Sequence, residues 1–128
     1  MTPEDQNLEL IKKFRVAYGR GDREGLLAST TNDFQWHMHY GRDSAERPTG
    51  RVLNGVDELL EELNWRREHW RDTRYEGIEE RATDDLIIQT FNISGTDPDG
   101  PFHANVVDLY PVRDGLITRK DTYWKYIR

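Results

Sequence analysis

From Arg74 to Ile127 the chain reads as strand after strand, and this half sets the tightest limit on the fold. Runs at 74–82, 86–95, 102–113 and 116–127 are broken by ATDD, GTDPDGP and RDG. The last two breaks place Gly and Asp where a tight turn needs positive φ. Consecutive strands joined by short turns pair antiparallel. The first half is mostly helical. Leu8, Ile11, Phe14 and Tyr18, widened by Leu10 and Ala17, recur at helical spacing over residues 5–19. Asp22 can cap a short second helix. Residues 34–40, FQWHMHY, alternate as a strand, with Phe34, Trp36, Met38 and Tyr40 on one face and Gln35, His37 and His39 on the other. Residues 41–50 read as a polar loop. Asn54 then caps a third helix to about Asp72, with the stripe Val56, Leu59, Leu60, Leu63 and Trp70. Helices first and a meander after predict an α+β fold. Three helices in the N-terminal half pack on a strongly curved, mostly antiparallel sheet, forming a cone with an interior pocket.

One domain over residues 1–128 is expected at this length. The formal charge is −6, and 33% of residues are charged against 35% hydrophobic. The apolar set is lean and rich in aromatics, so the core must be economical. An acidic chain without a long Lys/Arg run cannot neutralise many phosphates, so no nucleic acid partner is expected. No apolar stretch reaches the ~18–20 residues of a membrane span. The N-terminal MTPEDQNLEL does not read as a signal peptide. The absence of cysteine removes thiol catalysis, disulfides and Cys-ligated metals, and fits a cytoplasmic location.

Four segments carry a resemblance. They are AYGRGDREGLL (17–27), FQWHMHYG (34–41), NGVDELL (54–60) and VVDLYPVRDGLITRKDTYW (106–124). Together they resemble the SnoaL-like branch of the nuclear transport factor 2-like superfamily, which includes ketosteroid isomerase. The resemblance implies an α+β cone, a homodimer through the convex sheet face, and chemistry using neither metal nor organic cofactor. It leaves the reaction open, because that fold carries isomerases, cyclases, dehydratases, epoxide hydrolases and binding modules. Aligned through the DGLI turn, Asp108 falls where ketosteroid isomerase keeps its protonated oxyanion-hole acid. Met38 falls at the isomerase's general base, Phe14 at its oxyanion tyrosine, and Thr122 at the epoxide hydrolase aspartate. These departures mean that any acid/base groups differ from those of either enzyme.

The candidate reacting groups are Asp108, His37 and His39. Asp108 has apolar strand neighbours, and burial there would let a carboxylic acid donate a hydrogen bond. Imidazoles titrate near neutral pH and serve as acid or base. Alternation turns His37 and His39 away from Trp36 and Met38, so a β-bulge would be needed to bring them inside with those two. His37, His39 and His103 could form a metal site, but the glutamate of a cupin is missing and the early helices oppose that fold, so no metal is expected. Tyr18, Trp36, Met38, Tyr40, Phe102, Tyr110, Thr122 and Trp124 are candidates to line a pocket for a small apolar or aromatic molecule. Lys120 shares a face with Thr122 and Trp124, and so needs a carboxylate partner or a rim position. Asp121 suits a surface ion pair. Charges on the third helix, such as Glu62 and Arg66, read as a solvated face with i,i+4 pairing.

The expected activity is acid/base isomerisation, cyclisation or dehydration of a carbonyl-bearing apolar or polycyclic substrate. The alternatives are a non-catalytic binding or dimerisation module, and an epoxide hydrolase-like or dehydrohalogenase-like enzyme.

Overall fold

The computed structural model describes residues 1–40 and 50–127. Apart from Gly50, the loop expected at 41–50 lies outside these residues. Helix α1 (Pro3–Arg20) starts on a capping box. The Thr2 hydroxyl accepts from the Asp5 amide, and the Asp5 carboxylate accepts from the Thr2 amide. Gly21 ends the helix in the left-handed region, at φ 62°. Leu10, Ile11, Phe14 and Ala17 are buried as the spacing predicts, but Leu8 is exposed. Asn7 takes its place inside, donating from Nδ2 to the carbonyls of Thr83 and Asp84. Helix α2 (Arg23–Ser29) is capped by Asp22, which accepts from the Gly25 amide.

Strand β1 covers Thr30–Met38, starting four residues before the predicted one and ending two before it. Strand β2 (Arg51–Asn54) has no counterpart in the sequence reading. It has four residues, and only Leu53 is buried, too little for an alternation signal. Helix α3 (Gly55–His69) follows and stops before the expected Asp72. Asn54 stands at its N-cap without capping it. The Asn54 side chain instead accepts from Gln35 Nε2, and the Glu58 carboxylate takes the Asn54 amide.

The remaining strands are β3 (Arg71–Ala82), β4 (Leu86–Asp97), β5 (Gly100–Arg113) and β6 (Leu116–Tyr126). Asp114 and Gly115 both have positive φ, 54° and 76°, which gives β5–β6 a tight two-residue turn. The sheet order is β2-β1-β6-β5-β4-β3. All neighbours are antiparallel except β1 and β6, which run parallel, so the sheet is mixed. Register shifts bend it, most plainly in β3, where Asp72 (φ 54°) and Gly77 (φ 66°) flank or enter irregular pairing. The helices cover the concave face. Phe14, Leu26, Phe34, Leu59 and Ile117 form part of the main core there. The outward face carries Val107 and Tyr123 in the open.

Candidate active site

Each long strand sends alternate residues inward, and the register decides which of them meet. Gln89 pairs with Asp108, Asp108 with Thr122, and Trp36 with Lys120. One stretch of four adjacent strands therefore puts an amide, a carboxyl, a hydroxyl, an ammonium and an indole side by side. These groups line a cavity of about 490 Å3 between α1, α3 and the sheet. Phe14 and Tyr18 of α1, Leu63 and Arg66 of α3, and Trp70 contribute to its other walls.

The donor and acceptor roles are fixed from both ends of the network. The Trp36 indole can only donate, and its Nε1 lies 2.9 Å from Thr122 Oγ1. The Thr122 hydroxyl donates onward to Asp108 Oδ1 at 2.5 Å. At the other end, Arg15 donates to Glu80 at 3.0 Å, and Gln89 Nε2 donates to the same carboxylate at 2.7 Å. Gln89 Oε1 must then face Tyr110, which donates to it at 3.1 Å. The Tyr110 oxygen is left to accept from Lys120 Nζ at 2.8 Å. Lys120 Nζ also donates to Asp108 Oδ2 at 2.9 Å. Asp108 thus accepts at both oxygens. This is the carboxylate partner that Lys120 required, and it differs from an Asp108 poised to donate: in this arrangement the donors are Lys120 and Thr122.

Lys120 and Asp108 are nearly closed to solvent, with side chains 6% and 1% exposed. Burial lowers the lysine pKa and nearby Arg66 adds to that, while Asp108 opposes it. Three rings surround the ammonium, with Tyr18, Tyr110 and Trp36 centroids at 4.9, 5.1 and 5.3 Å. Burial raises Tyr18 and Tyr110 well above the usual phenol range, with Asp108 a further cause for each.

A second cation borders the cavity. The Arg66 guanidinium stacks over Trp70 at 4.3 Å and Trp36 at 5.0 Å. Its Nε donates to Glu62 at 3.0 Å, and Arg51 donates to the same carboxylate at 2.9 Å. Both members of the Glu62–Arg66 pair are buried, Glu62 completely. This corrects the solvated face expected for the pair. The i,i+4 spacing is present, but it points inward on the face of α3, which packs against β1 and β2.

Of the expected lining residues, Tyr18, Trp36, Tyr110, Thr122 and Trp124 border the cavity together with Asp108. Met38 lies instead in the apolar core. Tyr40, Phe102, His39 and His103 border a separate depression beside Asp97 and Asp99. The cavity has no histidine in its lining among the described residues. His37 sits half-buried on the other face of β1, its Nε2 3.1 Å from Gln35 Oε1. His39 stacks on Trp124, with centroids 3.8 Å apart and planes at 11°. No bulge brings His37 round to the face of Trp36; the β1 register shift falls earlier, between Thr30 and Gln35. Asp121 lies 4.0 Å from Arg119 and accepts from Tyr123 OH. Sequence reasoning passed over Gln89 and read Arg66 only as half of a solvated pair. Gln89 carried a signal, being a polar residue on the inward face of an apolar strand.

The SnoaL-like domain profile matches residues 11–120. The chain belongs to the SnoaL-like family. An NTF2-like protein of Burkholderia xenovorans superposes with a TM-score of 0.80 at 25% identity, over 95% of this chain and 91% of that one. A proposed polyketide cyclase of Xanthomonas campestris gives 0.75 at 18% identity, over 97% and 93%. A ketosteroid isomerase-like protein of Catenulispora acidiphila, solved with trimethylamine, gives 0.68 at 13% identity, over 91% and 85%. No curated protein matches the chain significantly. This SnoaL-like chain therefore has the nuclear transport factor 2-like cone, and no helix among its described residues is long and apolar enough to cross a membrane.

Proposed function

We propose that this SnoaL-like protein is an enzyme that enolises a small carbonyl-bearing substrate with an apolar, ring-containing body, as a step of isomerisation, cyclisation or dehydration. The supporting observation is the buried Asp108–Lys120 pair, in the lining of a cavity that also holds the rings of Tyr18, Trp36, Trp70, Tyr110 and Trp124. Asp108 is the proton acceptor for an acidic C–H beside the carbonyl. Lys120 offers positive charge to the carbonyl oxygen as negative charge develops there, in a site where water does not dilute the attraction. Tyr110 and Thr122 hold the pair in register. The proposal needs no metal or organic cofactor, and keeps His37 and His39 outside the chemistry. It includes a second copy of the chain across the convex face, where Val107 and Tyr123 are exposed.

Proton exchange in D2O tests the reading directly. Bicyclic aromatic ketones, followed by NMR, should exchange their α-protons faster with the protein than without it. Asp108→Asn should remove that acceleration while still binding the ketone. Binding without exchange in the native protein would instead make the chain a ligand-binding module. Turnover of epoxides in place of ketones would favour the hydrolase alternative.

A further inference from the structure

The lysine in this cavity is placed for more than a hydrogen bond. Lys12, Lys13 and Lys125 are exposed, and only Lys120 is inside. Its Nζ has a carboxylate at 2.9 Å to take a proton and a phenol at 2.8 Å whose oxygen can only accept from it. Lys120 is part of the cavity lining, among the rings of Tyr18, Trp36 and Tyr110. A cation held only for structure would need no place in the lining of a cavity.

We propose that Lys120 condenses with the carbonyl carbon of the substrate, a ring-bearing ketone or aldehyde, to form an iminium ion. This rests on the enolisation reading and deepens it, since the iminium draws electrons from the α-carbon more strongly than a hydrogen-bonded carbonyl does. The protons balance through one neighbour. Lys120 gives a proton to Asp108, and the freed lone pair adds to the carbonyl carbon as the C=O π pair moves to oxygen. Asp108 returns that proton to the oxygen, giving a carbinolamine. It then takes a second proton from nitrogen and delivers it to the hydroxyl, which leaves as water. Overall, ammonium and ketone become iminium and one water, with no change of oxidation state. Asp108 ends as a carboxylate beside the activated α-proton.

The surroundings make Lys120 give up its proton more readily than an exposed lysine does. Burial and Arg66 of α3 lower the Lys120 pKa, and Asp108 of β5 raises it without reversing the direction. Tyr110 of β5 and Tyr18 of α1 also face the amine, and both keep their protons well beyond neutral pH.

The test incubates the native protein with 2-tetralone and cyanoborohydride, then measures intact and peptide masses. The expected result is one adduct, heavier by the ketone minus one oxygen atom, mapped to Lys120 in preference to Lys12, Lys13 and Lys125. Lys120→Arg keeps a cation beside Asp108 but cannot condense, and should lose the adduct. In 18O-labelled water without reductant, the native protein should speed label entry into the carbonyl, and Lys120→Arg should not. α-Proton exchange with neither adduct nor accelerated oxygen exchange would overturn the covalent step and leave the acid/base reading standing. Loss of all three would overturn both. Modification spread evenly over the exposed lysines would also overturn the assignment to Lys120.

Discussion

Two buried ion pairs border this cavity, one through Arg66 alone and one through both Asp108 and Lys120, and they are built on different plans. Glu62–Arg66 lies within one helix, and Arg51 from β2 gives the same carboxylate a second cation. Asp108–Lys120 joins two strands, and neutral groups complete it: Thr122 on the acid, Tyr110 on the base. The first has more positive than negative charge and stays locked whichever arginine moves. The second is one-to-one, so moving a single proton changes the charge state of both partners. The helix pair is suited to fastening α3 over the sheet. The strand pair is suited to chemistry.

The largest predicted effect follows from that count. Lys120→Met leaves the Asp108 carboxyl buried without a cation. Breaking a buried pair from one side costs about 3–5 kcal/mol, read as a fall in the denaturation midpoint. The double variant Asp108→Asn/Lys120→Met should recover most of the loss, because no unpaired charge remains. Arg66→Met should cost less, about 1–3 kcal/mol, because Glu62 keeps Arg51 at 2.9 Å. Equal losses at the two sites would erase the distinction between the pairs.

Alkaline pH probes the tyrosines beside the two pairs. Tyr40 is pushed up to about 12, chiefly by burial, and the same cause raises Tyr18 and Tyr110 well above the ordinary phenol range. A raised phenol pKa means the fold favours the neutral form. That contribution to stability is complete below the ordinary value of 10.0 and is lost as pH climbs toward the folded value. Phenolate absorbance of the native protein should therefore lag that of the denatured chain between pH 10 and about 12. The protein should also become easier to unfold across that window. Coincident titration curves would mean that these phenols are not shielded.

How far the sequence foretold this depends on the range of the interactions. The meander was legible because period-two alternation and turns such as Asp114–Gly115 are local. Asp108 stood out through its apolar strand neighbours, and Lys120 through a charge that its face could not tolerate alone. Their union was not legible. It depends on β5–β6 pairing Asp108 with Thr122, one inward step from Lys120, and on the parallel β1–β6 contact that delivers Trp36. Arg66 was hidden for a different reason. Its i,i+4 acid made it look like an ordinary exposed helix pair, and only the seat of α3 over the sheet turns it inward. Strand β2 was too short to show a pattern.

The smallest prediction compares one hydroxyl beside each pair. Tyr110 OH is wired at both ends, accepting from Lys120 at 2.8 Å and donating to Gln89 at 3.1 Å. Tyr18 OH meets Arg66 at only 3.5 Å. Tyr110→Phe strands the Gln89 carbonyl and removes an acceptor from the ammonium, and should cost about 1–2 kcal/mol in unfolding free energy. Tyr18→Phe gives up one long contact and should cost below about 0.5 kcal/mol, since a bond at that length lies past the normal range. The two variants should differ in a second way. Tyr110→Phe frees Lys120 from one of its two hydrogen-bonding partners and should change how adduct formation depends on pH. Tyr18→Phe keeps the ring over Lys120 and should leave that profile in place. If Tyr18→Phe proved the more damaging, the wiring through Gln89 and Glu80 would not be what holds Lys120.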